Sequence, residues 1–161
     1  MPSQSETEHE QLTRNVNELL GELRVAQAGV QILFGFLLAV VFTPLFERAE
    51  LLVKSLHLTA VLLAVLATAL LSAPAAWHRM LFRAGLRREI LARGNRMVLA
   101  GLVCLALAVT VVVAVIGYVV FGAAAMAVLA VLVGLSFGFL WFVAPWRLSR
   151  VRRDPPTGSR P

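Results

Sequence analysis

The fifty residues from Met97 to Trp146, MVLAGLVCLALAVTVVVAVIGYVVFGAAAMAVLAVLVGLSFGFLWFVAPW, contain no Asp, Glu, Lys or Arg. A transmembrane helix needs about 20 consecutive apolar residues to cross a hydrocarbon core of roughly 30 Å. This block is too long for one crossing and long enough for two crossings joined by a tight hairpin. Gly117 and Gly122 are the turn signals near its middle, and they predict spans three and four over residues 97–117 and 122–145.

Two shorter blocks without charge precede it, Val25 to Phe46 with 22 residues and Ser55 to Trp77 with 23. They predict spans one and two over residues 25–46 and 56–77. Lipid offers no partner for backbone N–H and C=O groups, so spans must be helices or closed barrels. The run from Val61 to Leu66 lacks the alternation of a barrel strand. We therefore expect an all-α integral membrane four-helix bundle over residues 25–146.

The segments outside the spans carry the charge. Residues 1–24 form a tail and an amphipathic helix whose apolar residues recur at steps of three and four. Between spans two and three the chain is rich in Arg, and Phe82, Leu86 and Ile90 recur at steps of four, which predicts a second amphipathic helix. Residues 147–161 form a basic, Pro-rich tail.

The distribution of Lys and Arg predicts the orientation. With four spans, both termini and the Arg-rich segment lie on one side, which holds thirteen of the fifteen Lys and Arg residues. The other side holds Arg48 and Lys54. By the positive-inside rule, we expect a multi-pass protein of the cell membrane with both termini in the cytoplasm, facing anionic lipid. Nucleic-acid binding is disfavoured because topology already explains the basic segments.

Each span also carries a row of small or polar residues at steps of four. Close packing through small residues is what holds helices together in a membrane, and rows at steps of four predict right-handed crossings near about −40°. One interpretation is that the rows form the internal seam of a single bundle. The other is that the row of span four forms a homo-oligomer interface. The rows are Gln27, Gln31, Gly35, Ala39 and Thr43; Ala60, Ala64, Thr68, Ser72 and Ala76; Ala106, Thr110 and Ala114; and Ala130, Gly134 and Gly138.

Gln27 and Gln31 lie one helical turn apart in span one. An amide in hydrocarbon needs partners, so these residues predict an interhelical hydrogen bond, to another span or to Asn95. Alternatively, they line a path for a solute or an ion. No span centre carries Asp, Glu, Lys or Arg, which argues against an ion-coupled antiporter. The absence of charge at the span centres argues less strongly against a passive pore.

No recognisable set of catalytic or metal-binding residues emerges, so we expect neither an enzyme nor a cofactor. His57 and His78 are 21 residues apart, roughly 30 Å along a helix, which excludes one shared metal site. His57 with Glu47 or Glu50 is a minor alternative. The charged candidates flanking the spans predict docking of a partner or contact with lipid headgroups. They are Glu18, Glu22, Arg24, His78, Arg79, Arg83, Arg87 and Arg88.

Two runs resemble a known family. These are NELLGELRVAQAGVQILF from Asn17 to Phe34 and APAAWHRMLFR from Ala73 to Arg83. Both are similar to the signature of small bacterial membrane proteins that form a domain family of unknown function, found mostly in GC-rich Gram-positive bacteria. The similarity covers about residues 6–150. It implies four spans and provides no catalytic residues.

Two functions fit these observations. The first is a non-enzymatic scaffold or accessory subunit that acts through helix packing in a homo-oligomer or a larger membrane complex. The second is an oligomeric channel or transporter for an ion or small solute, with Gln27 and Gln31 lining the path.

Overall fold

The computed structural model describes residues 4–81 and 87–143, and no strand occurs among them. The chain divides into two compact units, residues 1–108 and 109–161, and the boundary falls inside a helix. The helices are α1 (Gln4–Val41), α2 (Pro44–Glu47), α3 (Leu51–Leu81), α4 (Arg87–Phe121) and α5 (Ala123–Gly138), followed by a π-helical turn (Phe139–Val143).

Four of these helices are long and apolar enough to cross a membrane, which confirms the predicted all-α, four-span fold. The apolar segments are Arg24–Val41, Leu51–Ala76, Gly94–Phe121 and Ala123–Trp141. The first belongs to α1, which is one continuous helix of 38 residues. The amphipathic N-terminal segment and span one therefore form a single helix.

A short connection with its own caps joins α1 to α3. The Oγ1 atom of Thr43 accepts a hydrogen bond from the backbone N–H of Phe46 at 3.3 Å and so caps the single turn of α2. Pro44 occupies the first turn, where the N–H that it lacks is not needed. The Nζ atom of Lys54 donates to the carbonyl oxygen of Glu47 at 2.8 Å. These contacts hold the turn tightly closed.

The face of α3 that is buried in the first unit follows a seven-residue repeat. Its positions alternate in steps of four and three, which is the pattern of left-handed packing near about +20°. The predicted row at steps of four coincides with this repeat only at Ala60 and Ala64. Further along, Thr68, Ser72 and Ala76 are exposed. The buried positions are Val53, His57, Ala60, Ala64, Ala67 and Leu71.

The exposed hydroxyl groups of α3 obtain their hydrogen bonds within their own helix. Thr68 donates to the carbonyl oxygen of Ala64 at 2.8 Å, and Ser72 donates to that of Thr68 at 2.7 Å. Such back-bonding satisfies a hydroxyl without a second helix. Polarity alone therefore does not place a Ser or Thr on the interhelical face, which is why the predicted row departs from the observed one.

Helix α4 contacts α3 through glycine. Gly101 is buried, and a Cβ atom added there would lie 2.9 Å from Cγ of Leu71 and 3.2 Å from Cβ of Leu70. One heptad earlier, a Cβ atom at Gly94 would lie 3.7 Å from Cβ of Pro74. Close approach of backbones at small residues is a common way of packing helices in membranes.

The second unit contains the end of α4, a glycine turn and α5. A Cβ atom at the buried Gly117 would lie 2.7 Å from Cδ1 of Leu129, so this glycine packs against α5. Gly122 makes the turn with φ of 88°, a backbone conformation that favours glycine. The two predicted turn signals thus have different roles, and α4 continues past Gly117 to Phe121. No residue of α5 itself is buried.

The Arg-rich helix predicted between spans two and three falls partly on residues that the structure does not describe. Its first part extends α3 to Leu81, and its second part begins α4 at Arg87. Residues 82–86 lie outside the described residues, and so does the tail after residue 143.

Candidate functional site

Pro74 interrupts the hydrogen bonding of α3 near one end of span two. Proline has no backbone N–H, so the carbonyl group of Leu70 cannot receive the usual helical bond from residue 74. Proline in a membrane helix is tolerated where neighbouring helices supply other contacts. The position is therefore one where side chains of other helices are expected to meet α3.

Gln27 of α1 meets α3 at this position. Its Nε2 atom donates a hydrogen bond to the carbonyl oxygen of Leu71 at 3.3 Å, and the contact is partly buried. Gly101 and Gly94 of α4 lie against Leu71 and Pro74. Helices α1 and α4 thus both contact about one turn of α3, and the amide of Gln27 donates to a backbone carbonyl there. We call this place the Pro74 junction.

The other predicted polar residues do not join the junction. Gln31 is exposed although it lies one turn from Gln27, because the interface of α1 is centred on Val30 and Leu37, which are buried. Asn95 of α4 is exposed as well. The structure therefore separates the two glutamines, one at an internal interface and one on the outer surface of α1.

A second polar contact lies at the other end of the α1–α3 pair. His57 is buried, and its Nε2 atom lies 3.0 Å from the carbonyl oxygen of Leu37. A carbonyl oxygen only accepts, so Nε2 carries the hydrogen. The ring also meets Phe46 edge-on, with centroids 4.8 Å apart. His57 thus ties α1, α2 and α3 together, a role that the metal alternative with Glu47 or Glu50 did not anticipate.

No group of three or more His, Cys, Asp or Glu side chains that could hold a metal ion occurs in residues 4–81 and 87–143 as far as they are described. Cys104 is a free thiol, partly buried in α4. The described side chains around His57 and Gln27 favour packing chemistry, since their polar atoms bond to backbone carbonyls of neighbouring helices.

The charged candidates near the membrane surface are described only in part. Arg24 is exposed at the start of span one. Six further candidates lie in described helices, although their side chains lie outside the description. They are Glu18 and Glu22 in α1, His78 and Arg79 in α3, and Arg87 and Arg88 at the start of α4. Arg83 lies outside the described residues.

The predicted packing row of span four faces open space within the second unit. Gly134 is exposed, and Ala130 and Gly138 are partly exposed. A Cβ atom at Gly134 or Gly138 would meet nothing within 4 Å. The row is therefore not an interface among the described residues of the second unit, and its role in packing stays a prediction.

Sequence reasoning missed the importance of Gly101 and His57 for packing. A signal for both exists in hindsight, since His57 lies on the heptad repeat that runs from Val53 to Leu71. Similarly, Gly94, Gly101 and Ala108 are buried at steps of seven along α4. Searching for rows at steps of seven finds these residues, whereas searching at steps of four does not.

Four long apolar helices and interhelical contacts made through glycine, alanine and a glutamine amide define a multi-pass helical membrane protein. The chain belongs to the protein family DUF6328, a family of unknown function, whose model matches residues 5–145. No curated protein and no solved structure matches the chain.

Proposed function

We propose that this protein is a non-enzymatic scaffold or accessory subunit that binds other membrane helices through its own spans. The observation that supports the proposal is a contrast between glycines. Gly101 and Gly117 are filled by neighbouring helices of the chain, whereas Gly35 of α1 and Gly134 of α5 face open space. In lipid, hydrophobicity does not drive helices together. Small residues do, because they permit helices to approach closely. Open glycines on the outer surface of spans are therefore places where further helices fit.

The surface of α5 supports the same proposal. Together with the π-helical turn, this helix is long and apolar enough to cross a membrane, and none of its own residues is buried. Its large exposed side chains, such as Val131 and Leu135, alternate with the small Gly134 and Ala127. Such a surface offers grooves to a neighbouring helix, whereas a helix that faces only lipid has no need of them.

We further propose that the protein resides in the cell membrane with both termini in the cytoplasm, where anionic lipid contacts Arg24 and the Arg-rich ends of α3 and α4. The placement of thirteen of fifteen Lys and Arg residues supports this orientation. Each such residue gains about 1 kcal/mol beside an anionic surface. Tags at both termini should be reached by membrane-impermeant reagents only after the cells are opened, and labelling in intact cells would overturn the orientation.

A channel or transporter is the second candidate, and the position of Gln31 favours it because an exposed amide within a span can line an axis between subunits. The hydrogen bond from Gln27 to Leu71 weighs against a path lined by both glutamines, since Gln27 faces an interface inside the chain. Purified protein in liposomes tests this candidate. Solute leakage that Gln31→Leu abolishes would support it, and tight liposomes would exclude it.

Purification from native membranes in native lipid discs tests the scaffold. We expect a stoichiometric complex with a second polypeptide or with further copies of the chain. Gly134→Leu should weaken this complex, because it fills the open groove of α5 without touching the chain's own packing. Val131→Leu on the same helix is the matched control and should leave the complex intact. Recovery of only a lone monomer after crosslinking in native membranes would contradict the proposal.

A further inference from the structure

Helix α1 carries two heptad repeats, and described residues of the first unit cover only one of them. The covered repeat includes Val30 and Leu37, which are buried against α3. The other is rotated around the helix by about 100° from Val30 and Leu37, and all of its members are exposed. We call this set the outer face of α1; its residues, at alternating steps of three and four, are Ala28, Gln31, Gly35 and Leu38.

The amide of Gln31 is the polar centre of the outer face. It lies seven residues from Arg24, about 10 Å further along the helix, and so inside the apolar segment. The described residues bring no hydrogen-bond partner to it. The hydroxyls of Thr68, Ser72 and Ser136 differ, because each bonds to a carbonyl of its own helix. Gln31 is thus an amide that sits in hydrocarbon and still requires a partner.

The residues around Gln31 leave room for another helix. A Cβ atom at Gly35 would meet nothing within 4 Å, and Ala28 is small and exposed on the same face. A polar side chain at one position of an otherwise apolar heptad repeat fixes the register and the number of helices that associate. The outer face therefore has both the shape and the single polar group of a helix-pairing surface.

We propose that the outer face of α1 binds the outer face of α1 in a second copy of this chain. Copies inserted in one membrane share their orientation, so a two-fold axis along the membrane normal places each residue opposite itself at the same depth. A carboxamide has both a donor and an acceptor, so two Gln31 side chains satisfy each other reciprocally. This inference rests on the proposed function and specifies a second copy as one partner.

Hydrogen-bond complementarity decides between this partner and others. A lipid acyl chain offers Gln31 no partner at all, and a different protein would have to provide an amide or hydroxyl at the same depth. The second copy supplies that group automatically. The face of α5 around Gly134 carries no comparable amide, so its small residues do not select a partner in the same way.

Disulfide trapping in native membranes tests the pairing. Cys104 is first replaced (Cys104→Ala), and then Gly35→Cys or Leu38→Cys places one thiol on the outer face, while Gly134→Cys places one on α5 as the matched control. Because the two-fold axis brings each outer-face residue close to itself, we expect oxidation to yield covalent dimers at residues 35 and 38 and not at 134. Crosslinking at 134 alone, or equally at all three sites, would overturn the assignment to α1, as would crosslinking at none.

Dissociation of fluorescently labelled protein on dilution in lipid measures the role of the amide. Gln31→Leu keeps the size of the side chain and should weaken the dimer by about 8- to 800-fold, the effect of losing two interhelical hydrogen bonds of typical strength. Gln31→Asn keeps an amide and should restore most of the affinity. Gly35→Ile should block pairing while each chain stays folded, because no described atom lies within 4 Å of a Cβ atom at this position. Equal affinity of Gln31→Leu and the unaltered protein would refute the proposal.

The two proposals fail separately. If the Gly35→Ile variant no longer forms homodimers and still purifies with a second polypeptide, both the scaffold function and the pairing of α1 are supported. If the outer face does not crosslink while a second polypeptide is recovered, the pairing is wrong and the scaffold remains. If nothing is recovered beyond a monomer, both are wrong.

Discussion

The side-chain amide of Gln27 donates a hydrogen bond to the carbonyl oxygen of Leu71, 3.3 Å away and 44 residues later in the chain. The bond falls three residues before Pro74, where α3 lacks one of its own hydrogen bonds. The carbonyl group that Pro74 leaves without a helical partner is that of Leu70, and the amide of Gln27 bonds to the carbonyl next to it in sequence. This contact and the glycine packing of α4 beside it lead to specific expectations.

Gln27→Leu should lower the free energy of unfolding by about 0.6–2 kcal/mol, since it removes one interhelical hydrogen bond while keeping the volume of the side chain. Reversible unfolding in mixed micelles, followed by circular dichroism, measures the change. Gln31→Leu is the control, and for the isolated chain it should cost little because Gln31 is exposed. Equal losses for the two variants would contradict the separation of the glutamines.

Gly101→Ala should destabilise the contact between α3 and α4 by about 1–3 kcal/mol, because the new Cβ atom would come within 2.9 Å of Cγ of Leu71. A double-mutant cycle with Leu71→Ala should recover part of this loss, since it removes the atom that clashes. Gly29→Ala is the matched control, as nothing lies within 4 Å of its Cβ position. Additive effects of Gly101→Ala and Leu71→Ala would argue against direct contact.

Gly122→Ala should cost on the order of 1–3 kcal/mol, because φ of 88° with ψ of −173° is a region that essentially only glycine occupies. Gly134→Ala, in the middle of α5 with open space around it, should be neutral or slightly stabilising, since Ala favours the helix. Thermal unfolding of both variants in detergent measures the difference. Similar melting temperatures would show that the hairpin turn is made elsewhere.

His57→Leu should lower the stability by about 0.5–1.5 kcal/mol, the net contribution of one neutral hydrogen bond. His57→Ala should lower it further, because it also leaves a cavity beside Phe46. Thr59→Val, an exposed position in the same helix, should change it by less than about 0.5 kcal/mol. Chemical unfolding of the three variants gives the ranking, and an unaffected His57→Ala protein would exclude the packing role.

The number of spans could be predicted because lipid penalises charge so strongly that its absence over about 20 residues leaves few alternatives. The position of the turn between spans three and four was harder to predict, since Gly117 and Gly122 look alike in sequence. One provides a positive φ and the other provides space for Leu129, and only the backbone path distinguishes them.

The interhelical contacts could be predicted only in part. That a glutamine of span one bonds to another span was expected, but which of the two does so depends on the rotation of α1 around its axis. Val30 sets that rotation by packing against α3, and a single helix does not reveal it. Likewise, a row at steps of four and the seven-residue repeat share Ala60 and Ala64. Only the burial of Ala67 shows that α3 follows the seven-residue repeat.

The unbroken length of α1 has a mechanical consequence. A helix of 38 residues is about 57 Å long, and the hydrocarbon core accounts for roughly 30 Å of it. The remainder is a stiff rod continuous with span one, so any tilt or roll of the rod in the aqueous phase is transmitted directly to the helix within the bilayer. A partner that binds the N-terminal end of α1 can therefore reorient the part of α1 within the membrane, several helical turns away.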